Sequence, residues 1–316
     1  MFFDIFLFVV GLLLLLWGGD RLVRSASKTA HLLGVSTLLI SLTVVSFSTS
    51  APELFVSITA PLNGEPDIAL GNIIGSNIAN IGLILGLAIL IFPLKADGEA
   101  LRKEYPIVAL LSIFLLILAR DGLISRGDGI VLLLLFVAYM VYYIQTSRRS
   151  ILDKIHHTLP PDRLNLERRM TSGILMIILA VGALILGSKL VVDGAVVFAQ
   201  SIGVSEMVIA LSLVAFGTSL PELTTIITAS IRKEPNISVG TILGSNVFNI
   251  LRNLSVAAVI MPIRVPVASI RVDMVVMILM VLALYPILHR NIRTFRLYGI
   301  ILLIGYIGYL YIKFTS

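Results

Sequence analysis

Long apolar runs separated by short polar connections make up most of the chain. Ten such runs are centred near residues 14, 48, 81, 112, 136, 184, 217, 250, 279 and 304. A helix needs roughly 20 residues to cross a hydrocarbon core of about 30 Å. Because lipid offers the backbone no hydrogen-bond partner, a run that crosses it must be helical. The pattern therefore predicts an all-α membrane protein with ten transmembrane helices.

The composition excludes a large soluble domain. Of the 316 residues, 58% are hydrophobic and 13% are charged, and the mean hydropathy is +1.03. No water-soluble globule of this size could bury so much apolar surface. Cysteine is absent, which removes disulfides and thiolate metal sites. The basic residues form no stripe interleaved with aromatics, so we expect contacts with membrane lipid and no nucleic-acid partner.

The distribution of Lys and Arg predicts the orientation. Of the 24 basic residues, 17 fall in connections on one side of the membrane and six on the other. The positive-inside rule makes the rich side cytoplasmic, which puts both termini outside in a multi-pass protein of the cytoplasmic membrane. The long basic connection 146–170 is interrupted by Pro160 and Pro161. We expect it to be a cytoplasmic linker between two five-helix repeats, 1–145 and 171–316.

An internal repeat covers the second and third spans of each half. With an offset of 169 residues and no gap, residues 34–85 align with residues 203–254, and 26 of the 52 pairs are identical. Five spans per half would make equivalent helices cross in opposite directions, an inverted-topology repeat typical of alternating-access transporters. A duplicated packing scaffold would explain the repeated small residues. It would not explain repeated polar and ionisable residues, which are costly at that depth.

The first repeated motif places a carboxylate next to a helix break. It reads STSAPE at 48–53 and GTSLPE at 217–222. Proline has no N–H and its ring clashes with the carbonyl four residues earlier, so we expect helix breaks at Pro52 and Pro221. Glu53 and Glu222 would repel each other across the repeat interface unless a cation or a proton intervened. Calcium prefers such oxygen ligands, and neutral hydroxyls nearby also suit sodium.

The second repeated motif adds neutral oxygen atoms. Ser76 and Asn80 in the third span, and Ser245 and Asn249 in the eighth, are each four residues apart and share a helical face. Taken singly, such residues are expected to form hydrogen bonds between helices. Together, beside the two glutamates, they are interpreted as ion ligands.

These paired motifs, GTS-x-PE followed by G-[NT]-x-x-GSN-x-x-N, resemble the sodium/calcium exchangers of the calcium/cation antiporter superfamily, prokaryotic type. The resemblance covers essentially the whole chain. It implies a ten-helix fold that exchanges extracellular sodium for intracellular calcium, with no cofactor apart from the transported ions. It also implies that the first and sixth helices slide over the other eight to switch access.

The resemblance also assigns ligands to positions of this sequence. For calcium, it implies the carboxylates of Glu53 and Glu222 and the carbonyls of Thr49 and Thr218. For sodium, it implies the side chains of Ser50, Ser76, Ser219 and Ser245 and the carbonyls of Ser46 and Ala215, with Asn80 and Asn249 completing the centre.

Two positions depart from the family pattern. Many prokaryotic relatives and the potassium-dependent branch carry Asp where this chain has Asn249, so this site has one acid fewer and we expect no potassium co-transport. Ser48 stands where the second repeat has Gly217, a change expected to stiffen the first kink only slightly.

Arg252 is a third unusual feature, about one helical turn beyond Asn249, where the first repeat has Leu83. One interpretation is that it extends to the outer interface or pairs with an acid away from the ions. The other is that its charge partly neutralises Glu53 or Glu222 and changes cation affinity or stoichiometry.

The sequence thus predicts a secondary antiporter that exchanges sodium for calcium. Proton/calcium exchange, in which the glutamates take up protons, is the alternative. A passive cation channel would differ in carrying current without a counter-ion. An enzyme is not expected, because the spans contain neither HExxH nor opposed aspartates, and there is no GxxxxGK[ST] loop for a nucleotide.

Overall fold

The computed structural model describes residues 2–92, 100–157, 163–201, 215–267, 269–289 and 295–315. Nearly all of these residues are helical. The strands in these ranges are β1 (Leu123–Ile124) and β2 (Ile263–Arg264), which pair antiparallel. The helices are α1 (Phe2–Leu33), α2 (Thr37–Thr49), α3 (Ala51–Leu62), α4 (Pro66–Ile91), α5 (Tyr105–Leu118), α6 (Arg126–His157), α7 (Arg163–Ser201), α8 (Ala215–Thr218), α9 (Leu220–Ile231), α10 (Pro235–Ile260), α11 (Met274–His289) and α12 (Phe295–Thr315).

Six of these helices are long and apolar enough to cross a membrane, and the bent pair α2–α3 makes a seventh candidate. Their apolar stretches lie in α1, α4, α6, α7, α10 and α12. The predicted spans near residues 112 and 279 correspond to α5 and α11, which have 14 and 16 residues. The predicted span near residue 217 lies partly in 202–214, outside the described residues.

The helix boundaries repeat with the same offset as the sequence. The bounds of α9 and α10 are those of α3 and α4 shifted by 169 residues, and the starts of α11 and α12 follow α5 and α6 by the same number. The turns before α4 and α10 correspond too, with Gly64 at φ 83 and Lys233 at φ 59. The local structure therefore repeats beyond the segment of clear sequence identity.

Proline positions explain where α4 and α10 begin and end. Pro66 and Pro235 occupy the first residue of each helix, where the missing N–H costs nothing and the fixed φ suits a helix. At the other end, Phe92 and Met261 each precede a proline in the sequence, which disfavours helical backbone. Both have φ −145 and ψ 128, and both helices stop there.

The two central helices carry most of the polar motif and contain π-helical turns. These turns, Asn80–Leu85 in α4 and Asn249–Asn253 in α10, begin at the repeated asparagines. Of the apolar stretch in α10, 89% is buried, and in α4 72%, against 33% or less in α1, α6, α7 and α12. π-Helical turns are rare and frequently mark functional sites.

The two long helices α1 and α7 pack closely through glycines. A Cβ on Gly11 would lie 2.9 Å from the Gly187 carbonyl oxygen, and a Cβ on Gly187 would lie 2.8 Å from that of Gly11. A Cβ on Gly18 would lie 2.9 Å from the Ala180 carbonyl oxygen. Only glycine allows this approach of two helix backbones. The pair therefore forms one tightly packed unit.

The predicted linker 146–170 is largely helical. Helix α6 continues to His157 and α7 begins at Arg163, so the described residues of 146–170 extend these two helices. Arg and Leu, the commonest residues here, are good helix formers. Pro160 and Pro161 lie outside the described residues.

Candidate functional site

Two broken helices meet near the centre of the molecule. Helix α2 ends at Thr49 and α3 begins at Ala51 with a bend of 43° between them. The intervening Ser50 has φ −82 and ψ 19, and Ser219, between α8 and α9, has φ −91 and ψ 5. Pro52 and Pro221 lie in the first turn of α3 and α9. The breaks thus fall just before the two glutamates.

The two repeats exchange hydrogen bonds at these breaks. Ser50 Oγ donates to Glu222 Oε1 at 3.0 Å, and Ser219 Oγ donates to Glu53 Oε1 at 3.3 Å. The Glu53 side chain is 1% exposed and that of Glu222 is 0% exposed. The crossed contacts bring both carboxylates into one buried region between the halves of the chain.

Each glutamate keeps one oxygen without a hydrogen-bond donor. Within the described parts of the chain, Oε2 of Glu53 and Oε2 of Glu222 have no partner. A buried carboxylate oxygen without a donor is costly, because burial removes water from the charge. A cation or a proton at this position would offset that cost.

The predicted serine ligands of the central helices lie beside the carboxylates. Ser245 Oγ donates to Glu222 Oε1 at 3.4 Å. Ser219 Oγ also lies 3.4 Å from Ser76 Oγ. All four predicted serines, Ser50, Ser76, Ser219 and Ser245, are buried.

The asparagines pair across the repeat in the same crossed way. Asn80 Nδ2 donates to Asn246 Oδ1 at 3.1 Å, and Asn249 Nδ2 donates to Asn77 Oδ1 at 3.0 Å. Asn253 Nδ2 donates to Asn249 Oδ1 at 2.8 Å. Asn77 and Asn246 were not among the predicted ligands, although both repeats carry them three residues before Asn80 and Asn249. That spacing puts them on the same helical face.

The remaining predicted ligands lie at the helix ends. Thr49 and Thr218 are the last residues of α2 and α8, so their carbonyls lie at the breaks. Thr218 Oγ1 donates to Asn72 Oδ1 at 3.2 Å, a contact that the sequence did not indicate. The Ser46 carbonyl accepts from Ser50 N at 3.1 Å within the helix. Ala215 begins α8, and its side chain lies outside the described set.

Proline frees a carbonyl in the second broken helix, and α7 supplies its partner. Pro221 cannot donate to the Gly217 carbonyl, four residues earlier. The Ser188 hydroxyl from α7 donates to that carbonyl instead. Only the packing of α7 against α8 brings them together, so no sequence pattern could have identified Ser188.

Arg252 lies at the first broken helix and is only 4% exposed. Its Nη2 and Nη1 atoms donate to the carbonyls of Ser50 and Phe47 at 2.7 and 3.2 Å, respectively, and its Nε donates to Asn253 Oδ1 at 2.8 Å. The guanidinium carbon lies 4.8 and 5.1 Å from the ring centroids of Phe47 and Phe248. Arg252 is therefore buried among helices and does not extend to the surface of the protein.

The site combines two acids with many neutral oxygens. In the part of the chain that the structure describes, no group of three or more His, Cys, Asp or Glu side chains could hold a metal ion. Any ion here would be bound by two carboxylates together with hydroxyl, amide and carbonyl oxygens. Calcium and sodium both accept such ligands.

Comparison with known proteins identifies similar chains along the full length. The family model described as sodium/calcium exchanger protein matches residues 3–145 and 172–315. The inner membrane protein YrbG of Escherichia coli (strain K12) is 37% identical over 312 residues, covering 96% of this chain and 94% of that protein. The putative antiporter CaxA of Alkalimonas amylolytica is 35% identical over 316 residues, covering 98% of both. A structure of the sodium-calcium exchanger NCX_Mj soaked with Na⁺ and Sr²⁺ superposes with a TM-score of 0.85 at 32% identity, covering 98% of both chains.

Proposed function

Because the chain belongs to the sodium/calcium exchanger family, we propose that it is a secondary antiporter that exchanges sodium for calcium across a membrane. The ions would bind in turn at one site between the two repeats, which opens alternately to either side. Ion gradients would supply the energy, and no cofactor would be needed.

The crossed Ser–Glu contacts are the observation that carries this proposal. Ser50 of the first broken helix contacts Glu222 of the second, and Ser219 contacts Glu53. Two carboxylates are thereby held close together, away from water, each with one oxygen that lacks a donor. Such a pair is stable when a cation binds between its members. A divalent cation and monovalent cations would compete for it.

The ion ligands are proposed as follows. Calcium would bind the carboxylates of Glu53 and Glu222 and the carbonyls of Thr49 and Thr218. Sodium would bind the hydroxyls of Ser50, Ser76, Ser219 and Ser245 and the carbonyls of Ser46 and Ala215, with Asn80 and Asn249 at the centre. The burial of all the described side chains in this set supports the assignment.

We also propose ten membrane-spanning helices in two inverted five-helix repeats, 1–145 and 171–316, joined by 146–170. The repeated helix boundaries support this arrangement, as do the two matched segments, 3–145 and 172–315. The crossed contacts relate equivalent residues of the two halves, as a two-fold axis between inverted repeats would.

The membrane placement rests on charge and on exposed apolar side chains. Leu13 and Leu16 of α1 are exposed, as is Ile178 of α7, and lipid would cover them. By the distribution of Lys and Arg, both termini would be extracellular and 146–170 cytoplasmic, in the cytoplasmic membrane.

Proton/calcium exchange is the second candidate. The Oε2 atoms of Glu53 and Glu222, which lack a donor, favour it, because either could take up a proton when calcium leaves. In that case calcium transport would follow a pH gradient without sodium.

The test is uptake of calcium-45 into proteoliposomes that contain the full chain. We expect uptake into sodium-loaded vesicles and none into choline-loaded vesicles at equal pH. Glu53→Gln and Glu222→Gln should each abolish it. Glu65→Gln, an exposed acid before α4, is the matched control and should transport normally. Uptake driven by a pH gradient alone would favour proton/calcium exchange. Uptake that persists in both glutamine variants would contradict the proposed ion site.

A further inference from the structure

Arg252 is a buried positive charge for which the proposed exchange cycle has no role. Its guanidinium donates to the carbonyls of Ser50 and Phe47, at the end of broken helix α2. The hydroxyl of the same Ser50 donates to Glu222. One residue of the break thus contacts both the guanidinium and a carboxylate of the ion site.

The guanidinium donates to neutral oxygens and leaves the carboxylates to other partners. Its charge nevertheless interacts with both Glu53 and Glu222, because all three groups are buried and solvent screens them little. The other proposed ligands that the structure describes are uncharged serines, threonines and asparagines. The charges of this region are therefore two negative and one permanently positive.

The first repeat has no counterpart to this charge. Leu83 occupies the equivalent position in α4, and at the second break the Ser188 hydroxyl binds the Gly217 carbonyl. A neutral donor is thus sufficient to satisfy a carbonyl freed by a break. Hydrogen bonding alone does not account for an arginine here, since burying its charge is costly.

We infer that Arg252 is a resident counter-charge of the ion site that replaces one transported monovalent cation. Part of the charge of Glu53 and Glu222 is balanced by the guanidinium in every state of the cycle. After calcium has left, the site then needs one sodium ion fewer to reach neutrality before it reorients. Arginine suits this role because it stays protonated at all physiological pH values and its planar fork binds two carbonyls at once.

This inference rests on the proposed function and makes two measurable predictions. The number of sodium ions exchanged per calcium should be lower by about one in the wild type than in a variant without the charge. Calcium should also bind more tightly once the nearby positive charge is gone, by roughly tenfold in a partly screened interior.

The experiment compares Arg252→Gln, Arg252→Leu and Arg252→Lys with the wild type. Arg252→Gln keeps an N–H donor for the carbonyls, Arg252→Leu restores the residue of the first repeat, and Arg252→Lys keeps the charge. Arg126→Leu is the matched control, because Arg126 also donates to a main-chain carbonyl, that of Ile260, but at an exposed position. To measure the coupling ratio, the membrane potential is clamped at zero and the calcium gradient that stops net flux is found for each sodium gradient. The coupling ratio is the slope of the logarithm of that calcium gradient against the logarithm of the sodium gradient. Calcium affinity is measured by titration calorimetry on the full chain in detergent.

We expect a higher ratio and tighter calcium binding in Arg252→Gln and Arg252→Leu, and wild-type values in Arg252→Lys and Arg126→Leu. A purely structural arginine would change turnover or stability in all three Arg252 variants and leave the ratio and the affinity unchanged, which would overturn the inference. If the wild type shows no sodium-dependent flux, the proposed function fails. The calcium affinities then still test Arg252, because unchanged binding in Arg252→Gln would overturn the counter-charge by itself.

Discussion

The hydroxyl of Ser50 donates to Glu222 at 3.0 Å, and these two residues lie 172 positions apart in the chain. The contact joins the break of one repeat to the carboxylate of the other. It means that a change in the angle of either broken helix alters the surroundings of the opposite glutamate. Under the proposed function, this hydrogen bond and its symmetric counterpart would couple the binding of an ion to the movement of the repeats.

Loss of this hydroxyl should weaken sodium binding. In Ser50→Ala, Glu222 Oε1 loses its shorter hydroxyl contact and keeps the longer one from Ser245, and a proposed sodium ligand is removed. A hydrogen bond to a charged group contributes about 1.5–3 kcal/mol, so we expect the apparent sodium affinity to fall by roughly tenfold or more. The sodium dependence of calcium-45 flux measures it.

The control for this change is Ser57→Ala. Ser57 is also buried, but its hydroxyl donates to the Glu53 main-chain carbonyl within α3. We expect wild-type sodium dependence in that variant. An unchanged sodium dependence in Ser50→Ala would show that the hydroxyl is not a ligand.

Asn249→Asp should increase the charge of the site. The amide now donates to Asn77 Oδ1 at 3.0 Å and accepts from Asn253 at 2.8 Å. An aspartate keeps the acceptor and adds a negative charge, while the Asn77 amide must turn to donate. We expect calcium binding tighter by about tenfold at high pH and weaker on acidification, since a third buried acid takes up a proton readily. Calcium titrations at several pH values check this, and equal affinity at all of them would contradict it.

Gly187→Ala should destabilise the pair formed by α1 and α7. Its Cβ would lie 2.8 Å from the Gly11 carbonyl oxygen, so the two backbones must separate. Overpacking of this kind costs about 1–3 kcal/mol. The measurement is the thermal unfolding midpoint of the purified chain in detergent.

Gly182→Ala on the same helix provides the comparison. Nothing lies within 4 Å of its Cβ position, so the change should be neutral or slightly stabilising, because alanine favours helix. Equal midpoints for the two variants would mean that the close approach of α1 and α7 does not limit stability.

Ser188→Ala should leave the Gly217 carbonyl without its donor. A buried acceptor that loses its partner lowers the free energy of unfolding by about 1–3 kcal/mol. We therefore expect a lower thermal unfolding midpoint. Ser112→Ala removes a buried hydroxyl that binds only the Val108 carbonyl of its own helix, and should have a smaller effect. A midpoint for Ser188→Ala at or above that of Ser112→Ala would contradict the assignment.

The sequence predicted the helical class of the fold, the family and the repeat, and it identified the motif residues that the structure buries. Hydrophobic runs and prolines act locally, so they can be read from neighbouring positions. The asparagines show the limit of this reasoning. The spacing put Asn77 and Asn80 on one face, but only the packing of α4 against α10 decided that Asn80 faces Asn246 and that Asn77 faces Asn249.

Local properties of the chain, namely apolar length, proline position and a duplicated motif, determined the helices and indicated which residues belong together. The tertiary structure decided the partners: Ser50 for Glu222, Ser188 for the Gly217 carbonyl, and the broken end of α2 for Arg252. A long side chain such as that of Arg252 reaches several places from one backbone position. Which place it occupies depends on what neighbouring helices present, because the burial cost of its charge is lowered only where acceptors converge.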